Sequence, residues 1–200
     1  MRRHIQKRFA EEAARFMAEG CEGEYLQAKE RAMMMLGLSS QNRLPSNKKV
    51  RGLVGRLTRA SLGEGEVERR LFAMRAIAIE LMVAVEDFDP FLIGSTLSGE
   101  IHQASDIDLH VYSDAPGEIS DLLGEWGYED IEEEEVHNLK GKFVHLRFNE
   151  KGFAVEMTVY PWSWRDVVPQ SSITGKAMKR ADIGAVRALT TTANFDGNAK

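Results

Sequence analysis

The sequence predicts an α/β (α+β) protein in which a helical N-terminal region precedes a sheet domain. Three observations carry this. Apolar residues recur at helical spacing from the first residues to Val85. Beyond residue 105, three segments alternate apolar and polar side chains with the period of half-buried strands. Between these two regions, residues 91–112 run from an apolar stretch through Gly94-Ser95 and a polar loop into Asp106-Ile107-Asp108.

Taken in order, residues 4–19 place Ile5, Phe9, Ala13, Phe16 and Met17 on one helical stripe, and Gly20 and Gly23 punctuate its end. A second helix is expected over residues 24–36, stopped by Gly37, with Tyr25, Ala28, Met33 and Leu36 inward. Leu44-Pro45-Ser46-Asn47 reads as a turn into a third helix, Ser46 being the N-cap. That helix carries Lys48, Lys49, Arg51, Arg56 and Arg59. Gly63 and Gly65 mark the expected boundary between a helical region, 1–62, and a second domain, 63–200. Residues 66–85 follow as a long helix striped by Val67, Leu71, Met74, Ala78, Leu81 and Val85, which Asp89-Pro90 ends.

After residue 112 a short helix is expected over 117–126 and a strand over 128–137. Glu132 to Glu135 fall within that strand, where alternating directions suit an exposed, charge-protected edge better than a metal site. Residues 143–148 and 153–160 are strands joined by a hairpin turn at Asn149–Gly152. Trp162 and Trp164 are expected to cover a core edge. A last helix is expected over 182–190, followed by a frayed tail, 191–200.

Composition narrows the function classes. The chain has 200 residues, a net charge of −5, 43% hydrophobic and 28% charged residues, the profile of a globular protein. Cys21 is the only cysteine, so no intrachain disulfide forms and a reducing, cytoplasmic setting is expected. No apolar run of signal-peptide type opens the sequence, and the longest apolar stretch, 77–85, is broken by Glu80 and far short of a membrane span. Charge is uneven: residues 1–60 hold 13 Lys/Arg against 6 Asp/Glu, so the remainder is strongly acidic. A basic front half suits a polyanionic partner such as RNA.

The chemistry concentrates in residues 91–112. On a strand, Asp106, Asp108, His110 and Tyr112 share one face, and Ile107, Leu109 and Val111 the other. Two carboxylates on one strand face repel unless a cation lies between them, and hard oxygen donors suit Mg²⁺ or Mn²⁺. Gly94 lets backbone approach a ligand, and the adjacent amides and the Ser95 hydroxyl can receive phosphate oxygens. Glu156 is an acid on the polar side of an apolar strand, a placement that is costly unless it is paired or metal-bound. Lys176, Lys179 and Arg180 are candidate triphosphate or acceptor-backbone contacts. His110 suits a hydrogen-bonding role beside the acids, and His102 is expected to be exposed in its loop.

Gly94-Ser95, ten intervening residues and Asp106-Ile107-Asp108 resemble the signature of the DNA polymerase β-like nucleotidyltransferase superfamily, in its small bacterial form. The resemblance implies a mixed, largely antiparallel sheet holding residues 91–95, 106–112, 143–148 and 153–160, with flanking helices. It implies metal-dependent transfer of a nucleoside monophosphate from an NTP, with ATP expected, to a hydroxyl on RNA, a protein or a small molecule. Asp106, Asp108 and Glu156 would be the catalytic, metal-holding carboxylates, and Gly94 and Ser95 the phosphate turn. The sequence departs from the small bacterial pattern Gly-Ser-x-Ala-Arg-Gly at Leu97 and Ser98, and Lys176, Lys179 or Arg180 are the residues able to replace the missing Arg. The competing reading is a catalytically silent nucleotidyltransferase-fold module with a binding or antitoxin-like regulatory role.

Overall fold

A computed structural model describes residues 2–138, 141–171 and 175–193. The chain divides into two compact units. The first comprises residues 1–69, 100–105 and 170–176; the second comprises residues 70–99, 106–169 and 177–200.

The helical unit is built on α1 (Arg2–Ala18), α2 (Tyr25–Met35) and α3 (Asn47–Leu62). The inward stripe read from the sequence is its core: Phe9, Ala13, Ala14, Phe16, Met17, Ala28, Ala32, Val50 and Val54 are all buried. The small residues on α1 and α2 let the helices approach closely. Ser46 caps α3 as expected, its hydroxyl accepting from the Lys49 N–H at 3.3 Å. Gly63, at φ +83°, is all that separates α3 from α4 (Glu64–Ala84), and the boundary between the units falls inside α4.

The sheet unit holds β1 (Phe91–Leu92), α5 (Gly94–Ser98), β2 (Ile107–Tyr112), α6 (Pro116–Glu125), β3 (Glu132–Asn138), β4 (Gly141–Glu150), β5 (Phe153–Tyr160) and α7 (Ile183–Ala193). Its five strands form one mixed sheet in the order β1-β2-β5-β4-β3. Among the described residues only the β2–β5 pair is parallel. Ile107, Leu109, Val111, Leu146, Val155, Met157 and Val159 are buried, as their alternation predicts.

Three expectations are corrected. The first strand stops at Leu92, not residue 95: Gly94 takes φ +71° and the chain turns directly into α5. The strand expected from residue 128 begins at Glu132. His102 is buried, because its Nδ1 accepts the Ala104 N–H at 3.2 Å and its own N–H donates to Ser105 Oγ at 2.9 Å, closing the loop on itself. β3 is the edge strand that its acids suggested, with exposed Glu132 to Glu135. Lys151 and Gly152, both at positive φ, make the two-residue β4–β5 turn. Trp164 packs on Phe143 and Tyr160, covering the sheet as expected. Of the tail expected to fray, residues 194–200 lie outside the described residues, as do Ser172 to Thr174.

Candidate active site

The site starts from how α5 docks on β2. The Ile93 N–H donates to the Asp108 carbonyl at 3.0 Å, and the buried Thr96 hydroxyl donates to the Asp106 carbonyl at 2.9 Å. These two bonds clamp the Gly94-Ser95 turn against β2, which bears Asp108, and against Asp106 just before it. Gly94 is required twice over. Its φ of +71° disfavours any side chain, and a Cβ there would overlap Asp108 Oδ2 and stand 3.0 Å from its Cγ. Arg75, from α4, secures the far end of α5 by donating to the Thr96 and Leu97 carbonyls at 3.1 and 3.3 Å.

Register carries the site across the sheet. Asp108 lies opposite Glu156 on β5, and Glu156 opposite Arg147 on β4. Asp108, His110, Glu156, Thr158, His145 and Arg147 therefore share one face. The Arg147 Nε donates to Glu156 Oε2 at 2.7 Å, and His145 Nδ1 lies 3.0 Å from Oε1. Glu134 holds the other edge of the Arg147 guanidinium. The hydrogen bond to His145 and then that to Arg147 draw the Glu156 carboxyl down to about 2, against the opposing effect of burial. His145 and Arg147 were not singled out in the sequence. Extending the register outward from the Lys151-Gly152 turn would have found them, because it sets Arg147 opposite Glu156.

The donor set fits a hard divalent cation. Magnesium is usually held by one or two carboxylates completed by substrate phosphates, not by an all-protein cage. Asp106 and Asp108 offer such a pair, and among the described residues no three His, Cys, Asp or Glu side chains form a cage by themselves. A cavity of about 490 Å³ opens beside Asp106, lined by Asp106, Glu129, Asp130, Glu132, Glu150 and Glu156, with Arg147 its only cation among the described residues.

The expected basic contacts are dispersed. Arg180 donates to the Tyr112 hydroxyl at 2.6 Å and lies over the Phe91 ring, which anchors it at the far end of β2 from Asp106. Lys179 is exposed in the sheet unit, and Lys176 is exposed in the helical unit. His110 is buried, its ring edge-on to Tyr160.

Comparison with known proteins finds one family and several solved structures similar to part of the chain. Residues 83–159 match the model of the nucleotidyltransferase domain family, a segment that includes the turn, both aspartates and Glu156. This segment is similar to nucleotidyltransferase domains over 77 of the 200 residues. Among solved structures, Cid1 in complex with the UTP analog UMPNPP is similar at 19% identity over 45% of this chain and 30% of that one, with a TM-score of 0.33. A cytoplasmic RNA terminal U-transferase is similar at 19% identity over 57% of this chain and 38% of that one, with a TM-score of 0.32. The chain thus covers about a third of the length of these structures. No curated protein sequence matches it.

Proposed function

We propose that the sheet unit transfers a nucleoside monophosphate from an NTP, ATP being the expected nucleotide, to a hydroxyl acceptor. The observation that carries this is the packing of Gly94 on the Asp108 carboxylate, which brings the turn at Ser95 against β2, with Asp106 just before that strand. Asp106 and Asp108 would hold Mg²⁺ or Mn²⁺, with Glu156 beside Asp108 as the third carboxylate. Such a cation supplies neutralisation of the triphosphate and a lower pKa for the attacking hydroxyl. Ser95 and its neighbouring amides receive phosphate oxygens, while Arg75 and Thr96 keep the turn in place.

In the transfer, the acceptor oxygen bonds to the α-phosphorus as the bond to pyrophosphate breaks and the hydroxyl proton passes to solvent water, largely by positioning and charge stabilisation. Glu156 suits orientation better than proton removal. A general base works best with a pKa near the working pH, and this carboxyl is held near 2. The same ion pair is what a silent module would rest on, because Glu156 is satisfied by its own sheet. The acceptor is proposed to be RNA, or a protein, met by the basic N-terminal helices. Labelled NTPs incubated with Mg²⁺ or Mn²⁺ and bulk RNA test the reading. Cation-dependent label transfer that Asp106→Asn abolishes is expected. NTP binding with no label on RNA or protein would overturn it in favour of the silent module.

A further inference from the structure

The helical unit carries a second cavity, also of about 490 Å³, in a groove between α1 and α3. Lys7, Lys48, Lys49 and Arg56 line it, with Glu11 its only acid among the described residues. Lys49, Gly52, Leu53 and Arg56 follow the spacing of one helical stripe, so the groove runs along α3. The seven steps from Lys49 to Arg56 rise about 10 Å at ~1.5 Å per residue, longer than a single phosphate needs.

Several other cations of the unit are already paired, whereas Lys49 only donates to the Gln6 carbonyl at 3.4 Å. Arg15 is paired with Glu12 and Glu19, Arg31 with Glu22, Arg51 with Glu100 at 2.5 Å, and Arg59 with Glu64. Lys48, Lys49 and Arg56 have no ion pair among the described residues, and Lys7 meets Glu11 only at 3.6 Å, with both side chains largely exposed. The floor is open at Gly52, where a Cβ would find nothing within 4 Å. The Ser46 hydroxyl already accepts the Lys49 N–H, so the charge of the groove comes from side chains and not from the end of α3.

We propose that this groove binds the phosphate backbone of single-stranded RNA. Cations in a row with few bonding partners of their own suit successive phosphates, and a cleft of this volume takes one strand and not a duplex. The choice of RNA over another polyanion rests on the nucleotidyl-transfer reading above, in which a polynucleotide hydroxyl is an acceptor.

The test is fluorescence anisotropy of a short labelled single-stranded RNA with the full chain, without NTP or divalent cation. Binding is therefore judged separately from transfer, and failure of either leaves the other to its own experiment. The triple variant Lys48→Gln/Lys49→Gln/Arg56→Gln should flatten the log–log salt dependence by about 2 and weaken binding about 100-fold near 0.1 M salt, at ~0.7 of slope per lost contact. Gly52→Glu sets an acid into the open floor on a helix it favours, so folding is kept, and binding should fall about fivefold, as for one cancelled cation. Arg51→Gln, whose guanidinium is already engaged by Glu100, should leave the slope unchanged. The proposal is overturned if wild type does not bind at low salt, or if the triple variant or Gly52→Glu binds as wild type does. It is equally overturned if tripolyphosphate, poly-glutamate or anionic vesicles displace the RNA at matched charge, each naming a different occupant.

Discussion

Replacing Gly94 by alanine should separate the turn from the carboxylate strand. Two costs add. An L-residue at φ +71° pays about 1 kcal/mol for the left-handed conformation. The new Cβ also lies 3.0 Å from Asp108 Cγ and 3.3 Å from Asp108 Cβ, where carbon atoms prefer about 3.5–4.0 Å. Rotating the carboxylate relieves the overlap at Oδ2 but not the contact with Cβ, which is fixed to the strand. Asp108 must then shift by several tenths of an ångström, or the Gly94 turn must lift from β2. We expect a total loss of about 2–3 kcal/mol of stability, as for other overpacked sites. A misplacement approaching 1 Å at the site should cost on the order of 10²-fold in transfer. Gly152→Ala is the control: it sits at φ +81° with nothing within 4 Å, so it carries the conformational cost without the collision. Urea denaturation and label-transfer rates are measured on both variants. If Gly94→Ala matches Gly152→Ala in both, the close approach to Asp108 has no role in the site.

Three further outcomes follow from the same geometry. Asp106→Asn and Asp108→Asn should each abolish Mg²⁺ binding and transfer while leaving the fold intact, since like-charge repulsion between the two acids is relieved. Equal Mg²⁺ affinity in wild type and both variants, by titration calorimetry, would remove these carboxylates from the ligand set. Arg75→Met leaves the Thr96 and Leu97 carbonyls without their donor and should cost about 1–3 kcal/mol, with transfer falling as α5 loosens. Wild-type stability and rate in that variant would show that α5 holds itself. Glu156→Gln removes a carboxylate held near 2 against an ordinary 4.5, a difference of about 3 kcal/mol before screening. Because the Glu156 and Arg147 side chains are 27% and 43% exposed, about 1–2 kcal/mol is expected at neutral pH. The depressed carboxyl contributes fully above about 4.5 and loses its contribution as pH falls through about 2, so the variant and wild type should converge at acid pH. A difference independent of pH, by urea midpoints, would refute the ion-pair account.

Much of this arrangement was legible in the sequence because strand periodicity is local. The alternation of 106–112 and 153–160 set Asp108 and Glu156 on polar faces, and the two segments prove to be parallel neighbours in one sheet. The Ser46 cap and the charged edge strand were legible for the same reason, each being a short-range pattern. What escaped depends on partners distant in sequence or on backbone turns. Arg75 reaches α5 from 21 residues away, and no periodicity announces such a bond. The apolar run 91–93 suggests a longer strand, yet Gly94 leaves the extended region and ends it. His102 looked like a loop residue open to water, but two short hydrogen bonds fold the loop around it.

The charge of the carboxylate face constrains how any nucleotide reaches it. The cavity beside Asp106 gathers six carboxylates around one guanidinium, and that guanidinium is already bound to Glu156 and Glu134. A bare triphosphate entering there would meet like charges at short range, which costs several kcal/mol at effective dielectric constants of about 20. Arg180 gives little relief, being anchored to Tyr112 and Phe91 at the other end of β2. Positive charge arriving with the nucleotide would suit the cation proposed at Asp106 and Asp108 better than a direct basic contact. The departure at Leu97 and Ser98 then has a physical reading. A turn held by Thr96 and Arg75 from behind does not need an arginine of its own to stay on β2, provided the phosphates are neutralised from the Asp106–Asp108 side.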